Sequence, residues 1–177
     1  MSAYWRALET PVGAITLAVD TDDWVTAEFE ALHSDRPRGI EDRRLLPEVS
    51  AWVQACLRER AGPPPIPVPR ASPFRRACWI ACRAIPIGHT STYTELATEA
   101  GNAKAARAAG SAMRNNPISL LTPCHRVVAV SGMGGYAGTV RDASPNLRLK
   151  REILDLERQI AKGARDRPGD ISPKSCR

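Results

Sequence analysis

No stretch of the 177-residue sequence approaches the uncharged apolar length needed to cross a bilayer, and the opening Met1-Ser2-Ala3-Tyr4-Trp5-Arg6 has no signal-peptide apolar core. A cytoplasmic protein with no membrane partner is the expectation. Cys-x-x-Cys pairs are missing too. The five cysteines, Cys56, Cys78, Cys82, Cys124 and Cys176, are odd in number, so neither a disulfide framework nor a zinc finger is indicated. Free thiols in a reducing compartment are the simpler reading. The N-terminal half has no paired carboxylates and no metal-spaced ligands, and its single histidine, His33, falls in a polar loop. That half reads as support.

What is present is a hydrophobic content of 43%, enough for one good core or two small ones, and an uneven charge. Residues 1–69 hold 7 basic and 11 acidic side chains, residues 70–160 hold 13 and 6, and the remainder holds 5 and 2. The net +6 therefore sits in the C-terminal part. Such a surface suits a polyanion such as nucleic acid, although a solvated basic face has the same composition.

Along the chain, Ile15, Leu17 and Val19 and then Val25, Ala27 and Phe29 alternate as strands do, with turn residues at Thr10-Pro11-Val12-Gly13 and Thr21-Asp22-Asp23. Leu45 to Leu57 follows helical spacing and would cover one face of that small antiparallel sheet. The run Gly62-Pro63-Pro64-Pro65-Ile66-Pro67-Val68-Pro69 can continue neither helix nor sheet. It predicts a boundary: a supporting domain over 1–61, a linker over 62–73, a functional domain over 74–160 and a polar, disordered tail over 161–177. After the linker, Ser72 can cap a helix that begins at Pro73 and buries Cys78 and Cys82 on one face. Those two could pair on a metal, but no ligand set completes the site and packing is the better reading.

Thr92-Tyr93-Thr94-Glu95 is a capping box opening a short helix to Ala100. Gly101 ends it, Asn102 can cap the next, and Ala103 to Met113 forms a second helix stopped by Asn115-Asn116-Pro117. The pair reads as helix-turn-helix, a pattern shared with ordinary helical hairpins. One face of the second helix is nearly free of side chains (Ala105, Ala106, Ala109, Gly110) and carries Arg107, which would let a backbone approach a narrow groove. Ser144-Pro145 caps a last helix with Leu149, Ile153, Leu156 and Ile160 as its buried stripe.

Between these helices lies Thr122-Pro123-Cys124-His125-Arg126-Val127-Val128. A thiolate is the strongest side-chain nucleophile, and a neighbouring imidazole is the usual means of making one near neutral pH. Adjacent residues in a strand would instead point to opposite faces. Glu157, beside the last helix's apolar stripe, is either a surface acid or the carboxylate that such an imidazole needs.

The block Pro123-Cys124-His125-Arg126-Val127, placed a few residues after Asn116-Pro117, resembles the O6-alkylguanine-DNA alkyltransferases, or methylated-DNA–protein-cysteine methyltransferases, over Phe74 to Glu157. The resemblance implies an α/β (α+β) protein: a ribonuclease-H-like N-terminal domain with a three-stranded sheet and a helix, then a mostly helical domain with a winged-helix, helix-turn-helix DNA-binding element. It implies single-turnover repair in which the alkyl group of O6-alkylguanine, with O4-alkylthymine a second candidate, passes to Cys124. His125 would be a water-relayed base and Glu157 its partner. Tyr93 would donate to the base, the Ala137 amide would contact O6, the Val127 carbonyl would read the exocyclic amine, and Tyr136 and Lys150 would line the pocket. Asn116 would brace the turn beside the active segment. Arg107 would fill the space of the flipped base, with Tyr93, Ala105, Ala106, Gly110, Ser111 and Arg114 along the DNA.

The partner implied is double-stranded DNA containing O6-alkylguanine, bound by a monomer without cofactor. Some members bind zinc through N-terminal cysteines, but no cysteine precedes Cys56 and no metal is expected. Thr139 replaces a usual glycine, Arg158 stands where a glycine is common, and the stretch from Tyr136 to Lys150 is longer than usual. Two rivals differ in class. A non-catalytic alkyltransferase-like lesion binder typically has tryptophan at the cysteine position, and a transcription regulator would want larger polar side chains on the second helix.

Overall fold

The computed structural model describes residues 2–32, 38–58, 61–136 and 144–165. His33, Ala137, Gly138, Thr139 and Cys176, and with them most of the long stretch after Tyr136, lie outside the described residues. The fold is mixed α/β. Strands β1 (Ser2–Leu8), β2 (Ile15–Asp20), β3 (Val25–Phe29) and β4 (Ile40–Glu41) form one sheet in the order β3-β2-β1-β4. β1, β2 and β3 pair antiparallel, whereas β4 runs parallel to β1. The sheet thus has four strands rather than the three expected, because β4 is two residues long and too short to display an alternation.

Helix α1 (Pro47–Cys56) buries Val49, Val53 and Cys56, and Arg6 Nη1 reaches across from β1 to Ser50 Oγ at 3.1 Å. The open edge of β3 is met by the C-terminal half of the chain. Ala27 N donates to Pro117 O at 2.9 Å, and Ser119 N donates to Ala27 O at 2.7 Å. An exposed edge would leave these groups unpaired, so the segment after Asn116 is fastened to the sheet by backbone bonds.

The proline-rich stretch passes between the two halves without regular structure and is pinned on both sides. Trp52 Nε1 donates to Gly62 O at 2.8 Å, and Arg83 Nη1 donates to Ile66 O at 2.8 Å. Helix α2 (Pro73–Ala84) begins with proline at its first position, as expected, but the Ser72 hydroxyl makes no capping bond. Cys78 and Cys82 are fully buried in its core face, and Trp79 Nε1 donates to Ala112 O at 2.9 Å.

Strand β5 (Ser91–Thr92) leads into α3 (Tyr93–Glu99), where the capping box closes in both directions: Glu95 N to Thr92 Oγ1 at 3.1 Å and Thr92 N to Glu95 Oε2 at 2.7 Å. Helix α4 (Ala106–Arg114) starts three residues later than expected. Asn102 does not cap it; Asn102 Oδ1 accepts from Lys104 N at 3.2 Å, a local turn that competes with helix initiation. After a single 3₁₀ turn at Cys124–Arg126, strand β6 (Val127–Val128) pairs parallel with β5.

Helix α5 (Pro145–Arg165) continues past residue 160 into the expected tail, and residues 166–177 lie outside the described residues. Ser144 Oγ accepts from Leu147 N at 3.3 Å. Leu149 and Ile153 are buried as expected, while Leu156 and Ile160 are only half-buried. Hydrophobic side chains from Leu8 to Ile153 form one continuous cluster. Among the described residues, no helix is long and apolar enough to cross a membrane.

The turn after α2 comes close to α5 at Gly88. Its φ is +78°, and an added Cβ would lie 2.7 Å from the Ala161 methyl carbon. Gly88→Ala combines a left-handed backbone with an overpacked contact, and it should cost roughly 2–4 kcal/mol. Urea unfolding is expected to give a lower midpoint at unchanged slope; an unchanged midpoint would mean that α5 is not seated on this turn.

Candidate active site

Residues 117–123 carry the chain from the sheet edge to the reactive turn. Leu120 takes a positive φ of 66°, Thr122 N donates to Ile118 O at 2.9 Å, and Cys124 N donates to Thr122 O at 2.8 Å. Asn116 holds this stretch from inside. Its Nδ2 donates to Thr122 O at 2.7 Å and lies 3.3 Å from Cys124 Sγ, while its Oδ1 accepts from Ile118 N at 3.2 Å. One amide hydrogen thus goes to Thr122 O and the other faces the sulfur of a cysteine that is only 8% exposed.

His125 and Glu157 are both buried, and His125 Nε2 meets Glu157 Oε1 at 2.9 Å. A carboxylate accepts, so the proton of a neutral imidazole is assigned to Nε2. That leaves Nδ1 as the basic nitrogen, and it is buried without a partner among the described residues. Arg126 grips the same carboxylate as a fork, Nε to Oε2 at 3.0 Å and Nη2 to Oε1 at 2.6 Å, and its Nη1 donates to Ile85 O at 2.6 Å. Sequence reasoning did not assign Arg126 a role. A signal was there in retrospect: an acid buried next to a histidine needs a permanent countercharge, and an arginine follows that histidine directly.

Burial alone would raise the Glu157 carboxyl, but hydrogen bonds and charge from His125 and Arg126 outweigh it and bring the group down to about 2. Burial lowers the His125 imidazole against the pull of Glu157. Burial raises the Cys124 thiol, opposed by the Asn116 hydrogen bond and the Lys150 charge. The resting site is a neutral thiol and a neutral imidazole beside an ionised carboxylate.

Lys150 is fully buried, and its Nζ donates to Val127 O at 2.7 Å, Met133 O at 2.8 Å and Gly135 O at 3.0 Å. Burial brings its ammonium down to about 8, while a Cys124 thiolate acts in the opposite direction. Tyr93 OH donates to Gly135 O at 3.3 Å. Tyr136 is buried, with its hydroxyl near Ser119. Lys150, Tyr93 and Val127 thus frame the loop at 133–135, and the Val127 carbonyl already accepts one bond.

On α4, Arg107, Ser111 and Arg114 are exposed at i, i+4 and i+7, forming one polar stripe. Ala105, Ala106 and Gly110 are half-buried, with Gly110 against the Tyr93 ring. Ala109 is turned fully into the core, so the small-residue face open to solvent is narrower than the sequence suggested. Among the described residues, no group of three or more His, Cys, Asp or Glu could hold a metal ion.

Comparison with known proteins adds relatives to this geometry. The family model described as 6-O-methylguanine DNA methyltransferase, DNA binding domain, matches residues 73–159. The methylated-DNA–protein-cysteine methyltransferase of Methanosarcina acetivorans is 31% identical over 159 residues, spanning 87% of this chain and 97% of that protein. The constitutive enzyme of that name from Bacillus subtilis is 28% identical over 170 residues, spanning 88% and 95%. Among solved structures, Mycobacterium tuberculosis O6-methylguanine methyltransferase superposes with a TM-score of 0.70 at 26% identity, over 88% of this chain and 93% of that one. Mycobacterium tuberculosis OGT in complex with DNA gives 0.72 at 27%, over 89% and 94%.

The buried carboxylate has a pH signature. Its folded value of about 2 lies below the ordinary 4.5, so its contribution to stability is complete above about 4.5 and is lost as pH falls towards 2. Glu157→Gln should lower stability at neutral pH by on the order of 3 kcal/mol, since it leaves the half-buried Arg126 without its anion. Between pH 5 and pH 2, roughly the window of that linkage, the variant should lose less stability in urea than the parent. Parallel acid limbs would contradict the charge placement.

Proposed function

Since the chain belongs to the methylated-DNA–protein-cysteine methyltransferase family, we propose that it repairs DNA by direct reversal, moving the alkyl group of O6-alkylguanine irreversibly onto Cys124. The observation that carries this reading is the Cys124 thiol, buried with Asn116 Nδ2 at 3.3 Å and followed in the chain by His125, which Glu157 holds at 2.9 Å. The acting unit is a monomer on double-stranded DNA containing O6-alkylguanine, with residues 74–160 carrying the chemistry and residues 1–61 supporting it.

The alkyl carbon on O6 is a soft electrophile with a poor leaving group, so transfer needs a thiolate and donors for the departing base. Guanine O6 is not reachable within the stack, and the nucleotide must be turned out at a cost of a few kcal/mol. Arg107 fills the vacancy, while Ser111, Arg114, Ala105, Ala106 and Gly110 follow the strand. The thiol proton passes through a water to His125 Nδ1, the nitrogen left free by Glu157. Sulfur then attacks the alkyl carbon, the carbon–oxygen bond breaks, and its electron pair goes to the guanine. Tyr93, whose phenol is kept protonated by burial and by Cys124, donates to the base as that charge develops. The Ala137 amide and the second lone pair of the Val127 carbonyl complete recognition, with Tyr136 as pocket wall. Lys150 favours the thiolate through its charge, and Arg126 holds Glu157 ionised, so the proton stops on the imidazole.

The primary test is intact mass after incubation with a duplex carrying one O6-methylguanine. One methyl group on Cys124, never more than one per protein, is expected, and none with Cys124→Ala; no gain in the parent protein would end the transfer reading. In the same assay His125→Gln should slow transfer by about 100-fold or more, as loss of a proton-transfer group does. Arg107→Ala should slow transfer from duplex DNA while leaving reaction with the free base O6-benzylguanine unchanged. Equal slowing of both would place Arg107 in the chemistry rather than in base extrusion.

A further inference from the structure

Beside Arg126 and Glu157 lies a cavity of about 380 Å³. Its walls are the end of α1, the start of the proline-rich stretch at 61–64, the end of α2 with the turn to Ile87, and part of the segment before the reactive cysteine. It shares Arg126 and Glu157 with the reaction centre, but Cys124, Tyr93 and Lys150 are not among its lining residues. The volume falls within the usual range of small-molecule sites.

The chemistry of the walls is specific. Trp52, Ile85 and Ile87, together with prolines, present the apolar surface, and Leu57, Leu120 and Leu121 lie buried beneath it. Against this stand two guanidinium groups, Arg83 and Arg126, and one carboxylate, Glu157. Arg126 is neutralised by Glu157. Among the described residues Arg83 donates only to neutral oxygens, Thr122 Oγ1 at 3.1 Å, Ile66 O at 2.8 Å and Pro67 O at 3.4 Å, with no carboxylate on it. Those bonds use three of the five N–H groups of a guanidinium, one on each nitrogen, and leave one on each terminal nitrogen. A half-buried cation on the cavity wall, with two donors not taken by these bonds, is complementary to a single planar anion. A doubly charged anion would also have to face the Glu157 carboxylate.

We propose that this cavity binds a small apolar monocarboxylate, an aryl acid seated with its carboxylate on Arg83 and its hydrocarbon body against Trp52, Ile85 and Ile87. The neighbouring Cys56 takes no covalent part, since burial, reinforced by Glu157, pushes its thiol up to about 12. An occupant reaches Arg126, whose fork holds Glu157, so it sits against the charge pair that orients His125.

The test uses the full, unalkylated chain without DNA, so its failure leaves the alkyl-transfer reading untouched. Naphthalene-2-carboxylate and its neutral analogue 2-naphthamide are titrated by calorimetry and by the shift of the Trp52 indole N–H resonance. Saturable one-site binding of the acid is expected, with the amide weaker by about tenfold or more, a difference of roughly 1.4 kcal/mol. Arg83→Gln should remove that preference while retaining amide binding, and Ala61→Phe should weaken both by occupying the space. The acid-against-amide comparison needs no variant and stands even where a substitution disturbs folding. No saturable binding of the acid at millimolar concentration would overturn the proposal. Equal affinity for acid and amide, or an unchanged preference in folded Arg83→Gln, would overturn it as well.

Discussion

Glu157 keeps a negative charge with 1% of its surface exposed, and much of the site's geometry follows from that requirement. Removing a carboxylate from water costs several kcal/mol unless charge and hydrogen bonds replace the solvent. The replacement comes from His125 and from the Arg126 fork, which ties the 3₁₀ turn to α5. Arg126 also bonds Ile85 O, so the exit of α2 is drawn to the same point. Two turns earlier on α5, at i−7, Lys150 faces the same side of the helix and gathers the carbonyls of Val127, Met133 and Gly135. One face of a single helix therefore fixes both the imidazole and the glycine-rich loop.

The electrostatic state that results is poised rather than active. Burial disfavours both the thiolate and the imidazolium, so neither charge stands at rest. The groups that favour them, the Asn116 amide, the Lys150 ammonium and Glu157, are already in place and need no reorganisation when charge develops. Arg126 adds a restriction. With the carboxylate held at about 2, Glu157 stays ionised beside the imidazole.

Features that depend on neighbours in sequence were legible before the structure. The Thr92–Glu95 capping box, Pro73 at the start of α2, the alternation of β2 and β3 and the buried stripe through Leu149 and Ile153 all follow from local rules. Features set by distant partners were not. Ile118 follows a proline in a stretch with no strand pattern, and only the free edge of β3 explains why it is extended there. Asn102 fits a helix cap by composition, yet its own side-chain turn wins. Ala109 fits a groove-facing strip by spacing, yet α2 and α3 pack against α4 and it lies in the core. Arg126 was in view inside the cysteine block, but its partner is 31 residues away, and pairing at that range leaves no local signature.

The sheet's part in the site follows from the same long-range bonds. Helix α4 ends at Arg114, and two residues later Asn116 supplies a donor to the reactive sulfur. Such a short connection would pass any displacement of α4 directly to that donor. Three fastenings resist this: Pro117 O bonded to β3, Ser119 N bonded to β3, and the Asn116 side chain bonded to Thr122 O. The first two belong to the edge of a sheet whose own strands are paired over most of their length. A load on α4 is thereby taken up by a backbone ladder before it reaches Cys124. The N-terminal sheet, with no reactive side chain of its own in the site, sets where the thiol's hydrogen-bond donor stands.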